Sequence, residues 1–87
     1  MAARLPRTLT QSFAKVLRTE REARGISQEA LGQLAGLHRT YVSMLERGIH
    51  SPSLAAIEAL AASLKVPASK LVKAAELLQS PPAPRRS

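Results

Sequence analysis

Eighty-seven residues suit one small domain and not two, and a chain this short buries only about 60% of its unfolded surface, so its core must be economical. Hydrophobic residues make up 45% of the sequence, but with one Phe, one Tyr and no Trp the core falls to Ala, Leu, Val and Ile, which favours helices over a sheet. The absence of cysteine excludes disulfides, thiol nucleophiles and thiolate metal sites, and a net charge of +7 points to a polyanionic partner.

The charge is uneven. Residues 8–79 hold nine of the 13 basic residues and all six Glu, a balance of 9 − 6 = +3, while Arg4, Arg7, Arg85 and Arg86 lie in the tails. The first periodic segment runs from about Thr10, read as its cap, to Arg24, with Phe13, Val16 and Leu17 as its apolar stripe and Gly25 as its stop. Ser27 caps the next, in which Leu31, Leu34 and Ala35 form the buried side. Gly36 ends it in the left-handed conformation, and Leu37 tucks the turn inward. His38 leads into a third helix with Val42 and Leu45 inward and Arg39, Thr40, Ser43, Met44 and Arg47 on the other side, closed by Gly48. Ser53 caps a fourth, containing Leu54, Ile57, Leu60, Ala61 and Leu64. Pro67 opens a fifth, with Leu71, Val72, Ala75 and Leu78 apolar, and PPAPRRS cannot continue it. The expected organisation is a basic arm over 1–9, an all-α five-helix domain over 10–79 and a basic tail over 80–87.

Helices as short as the second and third are marginal alone, so the Ser27–Gly48 pair must be stabilised by mutual packing and by its flanks. Gly32 stands where a small residue lets the later helix cross closely, and Gly36 supplies the bend. Together they describe a helix-turn-helix with its second helix projected outward.

This segment resembles the DNA-binding unit of the Cro/phage-repressor-type, or Xre-like, family. The likeness extends through FAKVLRTEREARGISQ before it and ERGIHSPSLAAIEALAASLKVPASKLV after it, about residues 10–78. Gln28, Gly36, Val42, Leu45, Glu46, Gly48, Pro52 and Leu54 stand at family-like positions. The resemblance implies a compact five-helix bundle that binds duplex DNA, usually as a dimer, with the third helix in the major groove. It assigns base reading to Arg39, Thr40, Ser43 and Met44, a phosphate grip to Gln28 and a structural ion pair to Arg21 with Glu46.

The chemistry of these side chains supports the roles unequally. An arginine donates two hydrogen bonds to guanine O6 and N7, so Arg39 is the strongest base-contact candidate, while Thr40 offers a hydroxyl and a methyl. Ser43 is short, and Met44, lacking a strong donor, is limited to a thymine methyl or local shape. Tyr41 is open to two roles, its hydroxyl on a phosphate or its ring in the core. Arg47 and His50 are candidates for phosphate, and Arg4 and Arg7 for an arm following the backbone or minor groove.

The expected function is a sequence-specific transcriptional regulator, a repressor or controller acting as a homodimer on an inverted-repeat operator. Leu64, Val66, Leu71, Val72 and Leu78 are candidates for both core and interface. The alternative is an antitoxin-like or adaptor module with weak DNA binding and a toxin or other protein partner. No enzyme is expected, since the six Glu form no acid/base pair with His38 or His50 and no nucleophile motif is present. No metal or other cofactor is expected either, because neither histidine has carboxylates at ligand spacing. With no apolar run near 18 residues and no uninterrupted hydrophobic stretch in MAARLPRTLT, no membrane association is expected, and the assigned compartment is the cytoplasm, at the nucleoid.

Overall fold

The computed structural model describes residues 7–79, so Arg4, Arg85 and Arg86 lie outside the described residues. Five helices follow one another: α1 (Leu9–Ala23), α2 (Gln28–Ala35), α3 (Arg39–Glu46), α4 (Leu54–Leu64) and α5 (Ala68–Leu78). There is no strand among the described residues. The protein is an all-α bundle containing a helix-turn-helix.

α1 begins at Leu9, with Thr8 rather than Thr10 as its cap. The reason is reciprocal bonding: the Gln11 N–H donates to Thr8 Oγ1 at 3.1 Å, and the Thr8 N–H donates to Gln11 Oε1 at 3.0 Å. Only a Gln or Glu three residues beyond the cap can close such a box, and Thr10 is followed at that distance by Phe13. Ser27 and Ser53 cap α2 and α4 by accepting from the N–H groups of Ala30 and Ala56.

α1 packs on α5 and α3, α2 on α3 and α4, and α4 on α5. The core draws Phe13, Val16 and Leu17 from α1, Leu31 from α2, Val42 and Leu45 from α3, Leu60 and Leu64 from α4, and Leu71 and Ala75 from α5. Leu34 departs from its expected place, with 64% of its surface exposed. It lies one turn from Leu31, but α3 and α4 cover only the side of this two-turn helix that presents Leu31 and Gly32. The candidates for core and interface also separate. Leu64 and Leu71 are wholly committed to the core, Val66 and Val72 are half-buried, and Leu78 is exposed. The largest exposed apolar surfaces on α4 and α5 belong instead to Leu54 and Leu77, at 84% and 79%.

α1 to α4 end alike. A residue with positive φ follows each helix, its N–H bonding back three residues and the next N–H back five, which satisfies carbonyls the helix leaves open. Three of these positions are glycine and the fourth is Lys65, at φ 61°. The left-handed conformation costs a residue with a Cβ about 1–2 kcal/mol, whereas glycine's extra freedom in the unfolded chain costs about 0.4–1 kcal/mol. Lys65→Gly is therefore expected to stabilise the domain by about 0.5–1 kcal/mol, read as a higher urea midpoint at unchanged slope. An unchanged or lower midpoint would show that the lysine stem contributes packing that outweighs the backbone gain.

Candidate nucleic-acid interface

α3 is positioned by what it buries. At about 100° per residue, Tyr41, Val42, Leu45 and Glu46 fall on one side of the helix and Arg39, Thr40, Ser43, Met44 and Arg47 on the other. Val42 and Leu45 are buried; Arg39, Thr40 and Arg47 are exposed, and Ser43 and Met44 partly so. His38 sets the start of the helix, its Nδ1 accepting from the Thr40 N–H at 3.0 Å, so Nδ1 is unprotonated in this arrangement and the imidazole serves as a cap.

The approach of α3 to α2 depends on Gly32. A Cβ at this position would sit 2.5 Å from the Leu37 carbonyl oxygen and 3.4 Å from the Arg39 nitrogen. The Gly32 carbonyl accepts from the Leu37 N–H at 2.8 Å, so the same residue both permits the close turn and ties it down.

Glu46 fixes the other end of α3. Its carboxylate receives Arg21 Nε at 2.7 Å and Arg21 Nη2 at 2.9 Å, a bidentate pair between α1 and α3. The side chain of Glu46 is only 2% exposed and that of Arg21 11%. Arg21 Nη1 also donates to the Ile26 carbonyl at 2.8 Å, securing the α1–α2 turn. The hydrogen bond to Glu46, with its negative charge, raises the Arg21 pKa above the ordinary arginine value against the opposing effect of burial. Gln28 completes the cluster: its Nε2 donates to Glu46 Oε1 at 3.0 Å, so one carboxylate joins α1, α2 and α3. Nothing in a separation of 18 residues announces that bond. It uses one of the two Nε2 hydrogens and leaves the other for an outside acceptor.

Tyr41 and His50 meet edge to face, with ring centroids 5.6 Å apart and planes at 89°. The Tyr41 ring also packs against the core, while His50 is exposed in the loop after α3. Arg47 follows α3 directly, and Ile49, between these two basic residues, is an exposed apolar side chain that the helical periodicity did not single out. Arg7 stands half-buried ahead of α1. Among the described residues no cluster of three metal-capable side chains occurs, and no described helix is long and apolar enough to cross a membrane.

A family model described as helix-turn-helix matches residues 17–71. The restriction-modification controller protein C.AhdI from Aeromonas hydrophila is 43% identical, with a TM-score of 0.69 over 72% of this chain and 94% of that one. The hypothetical transcription factor NHTF from Neisseria is 40% identical, with a TM-score of 0.72 over 83% of this chain and 85% of that one. The DNA-binding domain of the P22 c2 repressor is 30% identical, with a TM-score of 0.69 over 74% of this chain and 84% of that one. With the outward arc of α3 set on α2 through Gly32 and on α1 through Glu46, these matches establish that the chain belongs to the Cro/phage-repressor-type helix-turn-helix family of DNA-binding regulators, and not to a family of enzymes.

Proposed function

We propose that this protein binds duplex DNA as a homodimer and represses or controls transcription from an inverted-repeat operator, acting at the nucleoid. The observation that carries this is the outward arc of α3, where Arg39, Thr40, Ser43, Met44 and Arg47 are turned away from the buried Val42 and Leu45. In the proposed complex Arg39 donates to a guanine edge, Thr40 and Ser43 contact neighbouring bases, and Met44 meets a thymine methyl. Gln28 holds a phosphate through its second Nε2 hydrogen, with Tyr41, Arg47 and His50 alongside and Arg4 and Arg7 as an added grip. Glu29, exposed in the first turn of α2, weakens the attraction of that helix end for a phosphate, so the grip there falls mainly to Gln28.

One short recognition helix reads only a few base pairs, and a two-fold dimer about one DNA turn wide doubles that reading. The exposed Leu54, Leu77 and Leu78 on α4 and α5 supply apolar surface for such a contact. Similarity to C.AhdI favours control of a restriction-modification system, which endonuclease and methyltransferase genes beside this one would support.

Selection of duplexes from a random pool, followed by titration of whole and half sites, tests this function. Preference for a two-fold site is expected, and equal affinity per protein for half and whole sites would reject the dimer. Selective binding of a protein partner with only salt-sensitive, sequence-blind DNA association would favour the adaptor function instead. Arg39→Ala should cost about 1–3 kcal/mol on the selected site and less on random DNA, with melting unchanged. Equal losses on both would make Arg39 a phosphate contact.

A further inference from the structure

The arc of α3 carries one chemically soft group. Met44 is partly exposed there, and the sequence has only one other methionine, Met1, and no cysteine. Among the described residues the Met44 thioether is therefore the only sulfur, and it lies between the exposed Thr40 and the arginine that follows α3. Met44 is not part of the hydrophobic core, which α3 contributes to through Val42 and Leu45. Its backbone is tied independently of the side chain, the carbonyl accepting from the Ile49 N–H at 3.2 Å. Oxidation of the sulfur is thus expected to alter the outward surface while leaving the Val42 and Leu45 core contacts of the helix in place.

We propose that Met44 is a modification site, oxidised by hydroperoxides to the sulfoxide, and that this oxidation weakens DNA reading by α3; the inference rests on the DNA-reading role proposed above. In the reaction a sulfur lone pair attacks one peroxide oxygen. The S–O bond forms as the O–O bond breaks, and the departing hydroxide takes the proton from the oxygen transferred to sulfur. Sulfur loses two electrons, and hydrogen peroxide ends as water. The product replaces a flexible apolar thioether with a polar, chiral group bearing a strong acceptor oxygen. Such a group cannot make the apolar contact with a thymine methyl, and its acceptor faces a base edge and backbone rich in acceptors. The step is reversible, because sulfoxide reductases restore the thioether, one enzyme for each sulfoxide epimer.

The test treats the full chain with hydrogen peroxide, locates added oxygen by peptide mass spectrometry, and measures binding to a duplex selected by the untreated protein. Met44 should gain one oxygen, more slowly with the duplex bound. Affinity should fall roughly tenfold at an unchanged melting temperature, the effect of losing one base contact. Both sulfoxide reductases with a thiol reductant should restore it. Met44→Leu sets its own baseline, and peroxide should leave that baseline where it is, which assigns the effect to Met44 rather than Met1. Resistance of Met44 to peroxide, oxidation without loss of affinity, or an equal loss in Met44→Leu would each overturn the inference while leaving DNA reading by α3 intact. Failure to select any duplex would remove the DNA-reading role and this inference with it.

Discussion

Glu46→Ala is expected to lower folding stability by about 3–5 kcal/mol, the usual consequence of leaving one member of a buried ion pair behind. The variant takes two hydrogen bonds from the Arg21 guanidinium, 11% exposed, leaves it only the more distant and exposed Glu22 carboxylate, 3.9 Å from Nη2, and removes the acceptor of Gln28 Nε2. A domain of this size has about 5–10 kcal/mol in all, so the loss takes a large share of it. Urea unfolding measures the effect directly. The double variant Arg21→Met with Glu46→Leu should recover most of the loss, because it removes both charges and refills the space with apolar atoms. If Glu46→Ala unfolds at the wild-type midpoint, or if the double variant is as unstable as the single one, the cluster does not hold α1 and α3 together as described. DNA affinity should fall with Glu46→Ala even under conditions where the protein remains folded, since the pair orients the helix that carries Arg39.

Gly32→Ala is the second large effect, and here two forces oppose each other. Alanine is the better helix residue by about 0.8–1 kcal/mol. Its methyl, however, would meet the Leu37 carbonyl oxygen at 2.5 Å, and that atom belongs to the turn backbone and cannot rotate aside. The helices must part to admit it, and because the clash is with backbone the cost lies at the upper end of overpacking, about 3 kcal/mol, for a net loss of about 2 kcal/mol. In a domain this small that is a fall in melting temperature of about 4 °C or more. A rise in melting temperature would mean that helix propensity wins and that the crossing at Gly32 is looser than the structure shows. Operator affinity should fall alongside, because the displaced segment leads directly into Arg39.

These two positions mark how far the sequence could be read. Gly32 and Gly36 were legible because close approach and a left-handed turn leave a local trace, the absence of a side chain. The five helices were legible for a similar reason, since all but α4, which ends on Lys65, carry their stop and the apolar positions recur at helical spacing. Thr8 shows a local signal passed over: Gln11 completes its box, whereas Thr10 only precedes the apolar stripe. Leu34 was beyond local reading. Periodicity places it beside Leu31, but whether a neighbour covers it depends on how α3 and α4 lie across a helix of two turns. The same limit applies to Leu54 and Leu77, apolar residues on amphipathic helices that the bundle leaves uncovered. The contacts of Glu46 span 25 residues to Arg21 and 18 to Gln28. The first was reachable only through family resemblance, and the second not at all, because a glutamine at a helix start has no local sign of an acceptor on another helix.

The setting of Tyr41 has an optical consequence. It is the only tyrosine in a chain without tryptophan, so near-ultraviolet absorption and emission come almost wholly from one ring on the helix proposed to meet DNA. That ring rests on the core on one side and against the His50 imidazole at 5.6 Å on the other. Its emission therefore reports a single, known neighbourhood rather than an average over the molecule. Opening of the α3–α4 loop, docking of a nucleotide beside the phenol and melting of the bundle each change that neighbourhood differently, and the protein can be followed through all of them without an attached label.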